Sequence, residues 1–351
     1  MGLFRKLLLG LVAIFAFLFI ISQLFKTQLG ERLFDRAIKT RLSANPMAEL
    51  PDGLHVALLG TGSPLADPTR EGPSTLIIAG KELFLVDAGA GAVRNMGTMG
   101  LPPGQIKAAF LTHFHSDHID GLGEFMLQRW VGGAHKSPLP VYGPQGTSQI
   151  VDGFNGAYAQ DSIYRVAHHG EAIVPPSGAG GTAKEIGTGV IYREGDLTVT
   201  AFSVAHKPVT PAFGYRFDYK DRSVTLSGDT IKTASLTQAA KDTDVLIAEA
   251  LNSEMVGKMG MAMSKAGAMN FSKIMSDVLD YHMTPVEAAE TAAEAKADML
   301  ILSHIVPALP SQYLNSYYTK GMAQAYDGKI IVGQDMMLVT LPTGSEAIAG
   351  P

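Results

Sequence analysis

Apolar positions fall along this chain in three regimes. From Leu7 to Ile21, fifteen residues pass without a polar side chain, and the stretch to Phe25 counts nineteen. That length suffices for a helix across about 30 Å of hydrocarbon. Arg5 and Lys6 precede it, and no small-residue cleavage site follows at residues 21–26. The pattern therefore favours an uncleaved single-span membrane anchor over a removed signal. Arg5, Lys6 and the terminal amine favour an exported, periplasmic domain; Lys26, Arg32, Arg36, Lys39 and Arg41, just after the span, argue the other way. Export is the expectation taken here. Residues 27–52 read as a spacer whose amphipathic helix ends near Asn45-Pro46.

Beyond Leu54 the pattern becomes short apolar runs between Gly, Pro and charged turns, the mark of strands. A first series comprises His55 to Gly60, Ser74 to Ala79, Leu83 to Asp87 and Lys107 to Thr112, followed by helices over 119–130 and 146–160. A second begins near Val190 and comprises Leu197 to Val204, Phe213 to Tyr219, Ser223 to Ser227, Val245 to Ala248 and Met299 to Ser303. Lys329 to Val332 and Met336 to Leu341 close it. Lys220-Asp221-Arg222 is a hairpin turn, and Pro285 to Lys296 an Ala- and Glu-rich helix with proline at its entry. Two strand series with interleaved helices predict an α/β fold, one αββα four-layer sandwich over residues 53–345, after an anchor at 1–26. Ser177 to Gly189 reads as a flexible loop. Residues 255–283 hold seven of the sixteen methionines, interrupted by Gly257, Gly260 and Gly267. That segment reads equally as helical core or as a mobile apolar wall.

Composition narrows the chemistry. With 46% hydrophobic and 17% charged residues, the chain is no disordered polymer. A net charge of −5 lacks the basic excess usual in proteins that grip a phosphate backbone. The absence of cysteine excludes disulfides, thiolate metal sites and a cysteine nucleophile. Ser63 and Ser116 lack a nucleophile elbow, and no phosphate-binding glycine motif appears in the right context.

The strongest signal is Thr112-His113-Phe114-His115-Ser116-Asp117-His118. Three imidazoles and a carboxylate crowd the end of an apolar strand. In extended backbone His113 and His115 point the same way, while Asp117 and His118 turn toward a neighbouring position. One pair serves one ion and the other pair a second. Neutral imidazole and carboxylate suit Zn²⁺, with Mn²⁺ or Fe²⁺ as alternatives.

On these residues the chain resembles the metallo-β-lactamase-fold hydrolases over roughly residues 53–342. The resemblance implies that His113, His115 and His206 hold one metal and that Asp117, His118 and His304 hold the other, with Asp229 bridging. Leu59-Gly60-Thr61-Gly62-Ser63-Pro64 and Val86-Asp87-Ala88-Gly89-Ala90-Gly91 resemble the ribonuclease Z and arylsulfatase-like branch. Asp87 is expected to hydrogen-bond a ligand histidine. His282 resembles the histidine that ribonuclease Z-like enzymes bring over the metals, and Glu249 falls where they carry His-Glu-Ala-Thr. Here Ala248 and Leu251 replace the first and fourth residues of that motif. Asp117, His282 and Glu249 are thus the catalytic candidates. His168 and His169 read as surface residues or anion contacts, His55 and His135 as structural or exposed, and Trp130 as core or pocket wall.

Two divalent ions about 3.5–4 Å apart generate hydroxide near neutral pH and neutralise a developing anion. The expected activity is hydrolysis of a small anionic ester, an aryl sulfate or phosphodiester, by metal-bound hydroxide. The alternatives are a tRNA 3′-processing endoribonuclease and a lactone or β-lactam hydrolase. The net charge, the membrane segment, Ala248 and the lack of a basic Gly/Pro-rich arm argue against a nucleic-acid partner. A redox diiron protein would need a carboxylate in place of His115. Filled ligand positions disfavour a metal-free binding module. The oligomeric state is open, a homodimer included.

Overall fold

A computed structural model describes residues 2–43 and 45–350. The chain divides into two compact units, Met1–Pro46 and Met47–Pro351. The first holds helices α1 (Gly2–Leu24) and α2 (Lys26–Ser43). Among the described residues α1 alone is long and apolar enough to cross a membrane, with a mean hydropathy of 2.7 over its best window.

The second unit contains fourteen strands. The first sheet takes β1 (Gly53–Gly60), β2 (Ser74–Ala79), β3 (Glu82–Val86), β4 (Ile106–Phe110), β5 (Leu139–Gly143) and β6 (Gly181–Glu185). The second takes β7 (Gly189–Glu194), β8 (Leu197–Ser203), β9 (Phe213–Tyr219), β10 (Arg222–Leu226), β11 (Val245–Leu251), β12 (Met299–Val306) and β13 (Lys329–Val332). Finally β14 (Met337–Pro342) returns to the first sheet, beside β1. The orders are β14-β1-β2-β3-β4-β5-β6 and β13-β12-β11-β10-β9-β8-β7.

Alternation within single strands builds the layers. Val56 and Leu58 pack with Phe84, Phe110, Tyr215, Phe217, Val224 and Ile301, which joins side chains of both sheets in one core. Their neighbours Ala57 and Leu59 pack instead with Phe125 and Met126 of the helix Leu122–Gly133. On the second sheet, Leu246, Ala248, Leu300 and Leu302 meet Ala288, Ala289 and Ala292 of the helix Pro285–Ala295. Strands covered on both faces read as continuous apolar runs, which is why the sequence shows them clearly. The fold is thus the expected two-sheet, helix-covered sandwich.

The structure differs from expectation at two places. Ser177–Gly189 contains β6, an edge strand paired in parallel with β5, and β5 itself has no sequence counterpart above. An edge strand with exposed Thr182 and Lys184-Glu185 flanks lacks the apolar run that marks an inner one. In the spacer, α2 ends at Ser43, and Met47 is buried against the core that holds Ala57 and Leu76. The predicted helix 146–160 continues to His169.

Candidate metal centre

The strands that carry chemistry end at one rim. β10, β11 and β12 run parallel, and β8 and β10 are both antiparallel to β9, so β8, β10, β11 and β12 all point the same way. His206 follows β8, Asp229 follows β10, Glu249 lies near the end of β11, and His304 near the end of β12. The loop after β4 carries His113 and His115, then enters the short helix Ser116–Ile119 with Asp117 and His118. Open α/β sheets place their sites at carboxyl ends of strands for the same reason: the chain turns there and side chains leave the layer.

Ligand-type atoms of His113, His115, His206 and Asp229 lie within 4.8 Å of one another, as do those of Asp117, His118 and His304. Asp229 stands between the two sets. Its carboxylate is 3.8 Å from His113 Nε2, 3.8 Å from His206 Nε2, 3.4 Å from His118 Nε2 and 3.3 Å from His304 Nε2. Four of these histidines are buried, and His115 is the exposed member.

The donor set fits cations. His113 Nε2, His118 Nε2 and Asp229 Oδ1 are buried without a hydrogen-bond partner. Such atoms cost free energy unless something compensates them, and imidazole nitrogens facing a carboxylate are a divalent-metal environment. Burial pushes His113 well down and His206 to about 4, keeping both in the neutral, ligating form. Burial also opposes charge on His304, yet Asp229 and Asp117 lift it to about 9. The same negative field that favours a proton there favours a dication.

Three of the ligand rings, those of His118, His206 and His113, are held from behind. Asp87 Oδ2 accepts from His118 Nδ1 at 2.8 Å and from Thr112 Oγ1 at 2.8 Å, while Oδ1 accepts from the Thr112 amide at 2.8 Å. His206 Nδ1 donates to the Tyr281 carbonyl at 3.0 Å. Thr112 Oγ1 is 3.0 Å from His113 Nδ1. Thr112 and the Tyr281 carbonyl escaped sequence reasoning, the first because a strand-end threonine is ordinary, the second because a backbone oxygen has no sequence signature. Asp87 and His304 both adopt left-handed backbone, at φ 56° and 47°. Both positions aim a side chain that the layer would otherwise turn away, the usual setting for stored strain. Both glycine-rich loops pack against Gly72: a Cβ on Gly89 would lie 2.2 Å from the Gly72 carbonyl carbon, and one on Gly60 1.8 Å from its oxygen. Replacing Asp87 by Asn keeps the Thr112 amide bond but removes the anionic acceptor for His118. Asp87→Asn should weaken metal retention about 10- to 100-fold in chelator competition.

His282 and Glu249 form a buried pair, Nδ1 to Oε1 at 2.9 Å. Glu249 Oε1 also accepts from the Thr230 amide at 2.8 Å. Burial opposes charge on His282, but Glu249 holds its pKa above the ordinary imidazole range. A ring nitrogen of His282 lies within 4.8 Å of ligand-type atoms of Asp229 and His304. Burial works against charge on Asp117, but the hydrogen bond with His304 keeps it below the usual carboxylate range.

The remaining singled-out residues lie elsewhere. His55 is buried, with Nε2 on the Pro51 carbonyl, and His135 bonds the Gly104 carbonyl. Trp130 is core, donating to the Pro175 carbonyl at 2.7 Å. His168 and His169 end the helix Thr147–His169 and belong to neither ligand group. The Met-rich segment forms two helices, Ser253–Lys265 and Met269–Asp277, packed through Met259, Met263 and Met275 on Val256 and Val306.

Two seven-stranded sheets with this His/Asp cluster at their rim define a metal-dependent hydrolase architecture. Residues 83–305 match the Beta-lactamase superfamily domain, and the chain belongs to that superfamily, with ribonuclease Z relatives. A ribonuclease Z of Mycolicibacterium gilvum is 34% identical over 83% of this chain and 97% of that protein. One of Mycobacterium bovis is 36% identical over 81% of this chain and 96% of that protein. Among solved structures, the metallo-β-lactamase fold protein YhfI of Bacillus subtilis has a TM-score of 0.61 at 18% identity, covering 83% of this chain and 100% of that one. Human tRNase Z, short form, has a TM-score of 0.54 at 21% identity, covering 82% of this chain and 99% of that one. The two structures share the fold.

These relatives correct one expectation. A small anionic ester as partner, with nucleic acid set aside, does not stand beside relatives that are ribonucleases along nearly their whole length. Two of the physical arguments behind it, the Ala248 departure and the net charge, also carry little weight in the structure. Ala248, the departure from His-Glu-Ala-Thr, packs in the outer apolar layer with Leu246 and Leu300, and Leu251 in a separate apolar cluster with Val256. Neither position adds a group to the metal centre. Net charge summed over a whole chain says nothing about the field at one rim.

Proposed function

We propose that this chain is a dinuclear-metal endoribonuclease acting on a phosphodiester bond of RNA, with tRNA 3′ processing as its reaction. The observation that carries the reading is the convergence of seven metal-type side chains and the His282–Glu249 pair at one rim. The whole-length similarity to ribonuclease Z proteins supports RNA as substrate.

In this reading His113, His115 and His206 hold one divalent ion, Asp117, His118 and His304 a second, and Asp229 serves both. Zinc is the metal that imidazole and carboxylate donors suit best. Such ions supply Lewis-acid activation of water and neutralise charge at a phosphodiester. The protein's own groups do the rest. Asp87, Thr112 and the Tyr281 carbonyl fix ring orientations before substrate arrives. Asp117, ionised and at the rim, accepts the proton that the attacking water loses. Glu249 accepts from His282 Nδ1 and favours the doubly protonated ring, whose Nε2 then carries a proton toward the departing ribose oxygen.

We further read α1 as a retained membrane anchor, since nineteen apolar-rich residues lead into α2 without a small-residue cleavage site. The test is direct. Full-length protein in detergent, loaded with zinc, should cut a precursor tRNA near the 3′ end of its acceptor stem. It should leave mature tRNA intact. Absence of RNA cleavage with hydrolysis of another ester class would reject the substrate and keep the metal chemistry.

A further inference from the structure

The unit Met1–Pro46 lies outside the superfamily match, and the nuclease reading uses none of its side chains. Its charges are unevenly placed. Arg5 and Lys6 stand before the apolar run of α1, whereas α2 carries Lys26, Arg32, Arg36, Lys39 and Arg41 against Glu31 and Asp35. Orientation follows Lys and Arg within roughly 15–20 residues of a span, with acidic residues counting little. Five basic residues after the span outweigh two before it, even with the terminal amine added.

α2 is also two-faced. Over residues 28–39, at about 100° per residue, Leu29, Leu33, Phe34, Ala37 and Ile38 share one half of its circumference, while Lys26 and Arg41 at its ends fall in the same half. Gln28, Arg32, Asp35, Arg36 and Lys39 take the other. Leu29, Leu33, Phe34 and Ile38 are 48%, 57%, 67% and 40% exposed. Such an apolar stripe beside basic residues is what a helix lying in a lipid interface carries.

Charge says which part of the chain meets lipid. α1 and α2 hold seven Lys and Arg against two Asp and Glu, so of the chain's −5 the remaining residues carry −10. An anionic leaflet attracts the first and repels the second.

We propose that α2 lies along the cytoplasmic face of an anionic bilayer. Leu29, Leu33, Phe34 and Ile38 enter the acyl boundary, and Arg32, Arg36 and Lys39 meet headgroup phosphates. The unit that follows is held on the cytoplasmic side, the reverse of the export expected from Arg5 and Lys6. The proposal stands on charge and exposure and needs no activity, so it and the nuclease reading fail separately.

The chain has no cysteine, so single cysteines report position. Added side chains at Gly2 and Gly187 meet nothing within 4 Å. In intact cells making the full chain, an impermeant maleimide should label Gly2→Cys. Gly187→Cys should be labelled only after the membrane is permeabilised. The opposite pattern overturns the orientation, and so does a mature chain that begins after α1. The full chain is then reconstituted in vesicles of phosphatidylethanolamine and phosphatidylglycerol. A nitrobenzoxadiazole dye on Leu33→Cys should shift to the blue and resist iodide quenching, whereas the same dye on Asp35→Cys should not. Equal quenching at the two positions overturns the interfacial placement of α2.

Discussion

Asp229→Ala is expected to abolish RNA cleavage and to strip the protein of metal while leaving the sandwich folded. Asp229 lies within 3.8 Å of ring nitrogens on His113, His118, His206 and His304, so it is the one carboxylate shared by both ligand groups. Without it, the metal-facing nitrogens of His113 and His206 keep no carboxylate beside them, and Asp117 is left beside His118 and His304. Elemental analysis of wild-type protein purified without chelator should approach two ions per chain, and the variant should fall to one or fewer. Cleavage should drop by at least roughly 10³-fold, the scale on which loss of an electrostatic device at a reacting centre is felt. Circular dichroism and thermal melting separate this from unfolding. The side chain sits at the rim, apart from the main apolar layers, so the melting transition should survive. Full activity in metal-stripped wild-type protein would sink the metal reading as a whole.

His282→Ala should produce a loss that depends on the leaving group. A general acid contributes about 10²- to 10⁴-fold, and only where the departing oxygen needs a proton. Cleavage of RNA, which expels a ribose alkoxide, should therefore lose kcat on that scale. Hydrolysis of bis(4-nitrophenyl) phosphate, used as a probe with a good leaving group, should change little, with metal content unaltered. Glu249→Gln should follow the same pattern more weakly, because the new amide oxygen would still accept from His282 Nδ1 but without charge. Equal losses on both substrates would make His282 a positioning residue. Loss of metal would make it a ligand, an outcome its closeness to Asp229 and His304 makes concrete.

Much of this architecture is legible in the sequence where burial is two-sided. β2, buried along its whole length, matches its predicted range because both neighbours in the layer stack are apolar, and the pattern leaves no other place for it. The string from His113 to His118 is equally legible, since so dense a cluster of ligating side chains has no packing use. What escaped is one-sided or backbone-made. β6 looked like a loop because an exposed edge strand needs few apolar residues. The carbonyl of Tyr281 and the hydroxyl of Thr112 orient ligand rings without any compositional signal.

The substrate reading shows where such inference turns. Ala248 was weighed as a missing polar group because sequence gives its neighbour, Glu249, but not the face it takes. Strand alternation sends Glu249 to the site and Ala248 to the outer layer. By itself the sequence determined the layer order and the dense His113–His118 string, because apolar period and residue type are local properties. The tertiary structure alone decided which substitutions reach the site and which backbone atoms hold it. Those depend on where strand ends meet across two sheets, and no local pattern along the chain encodes that.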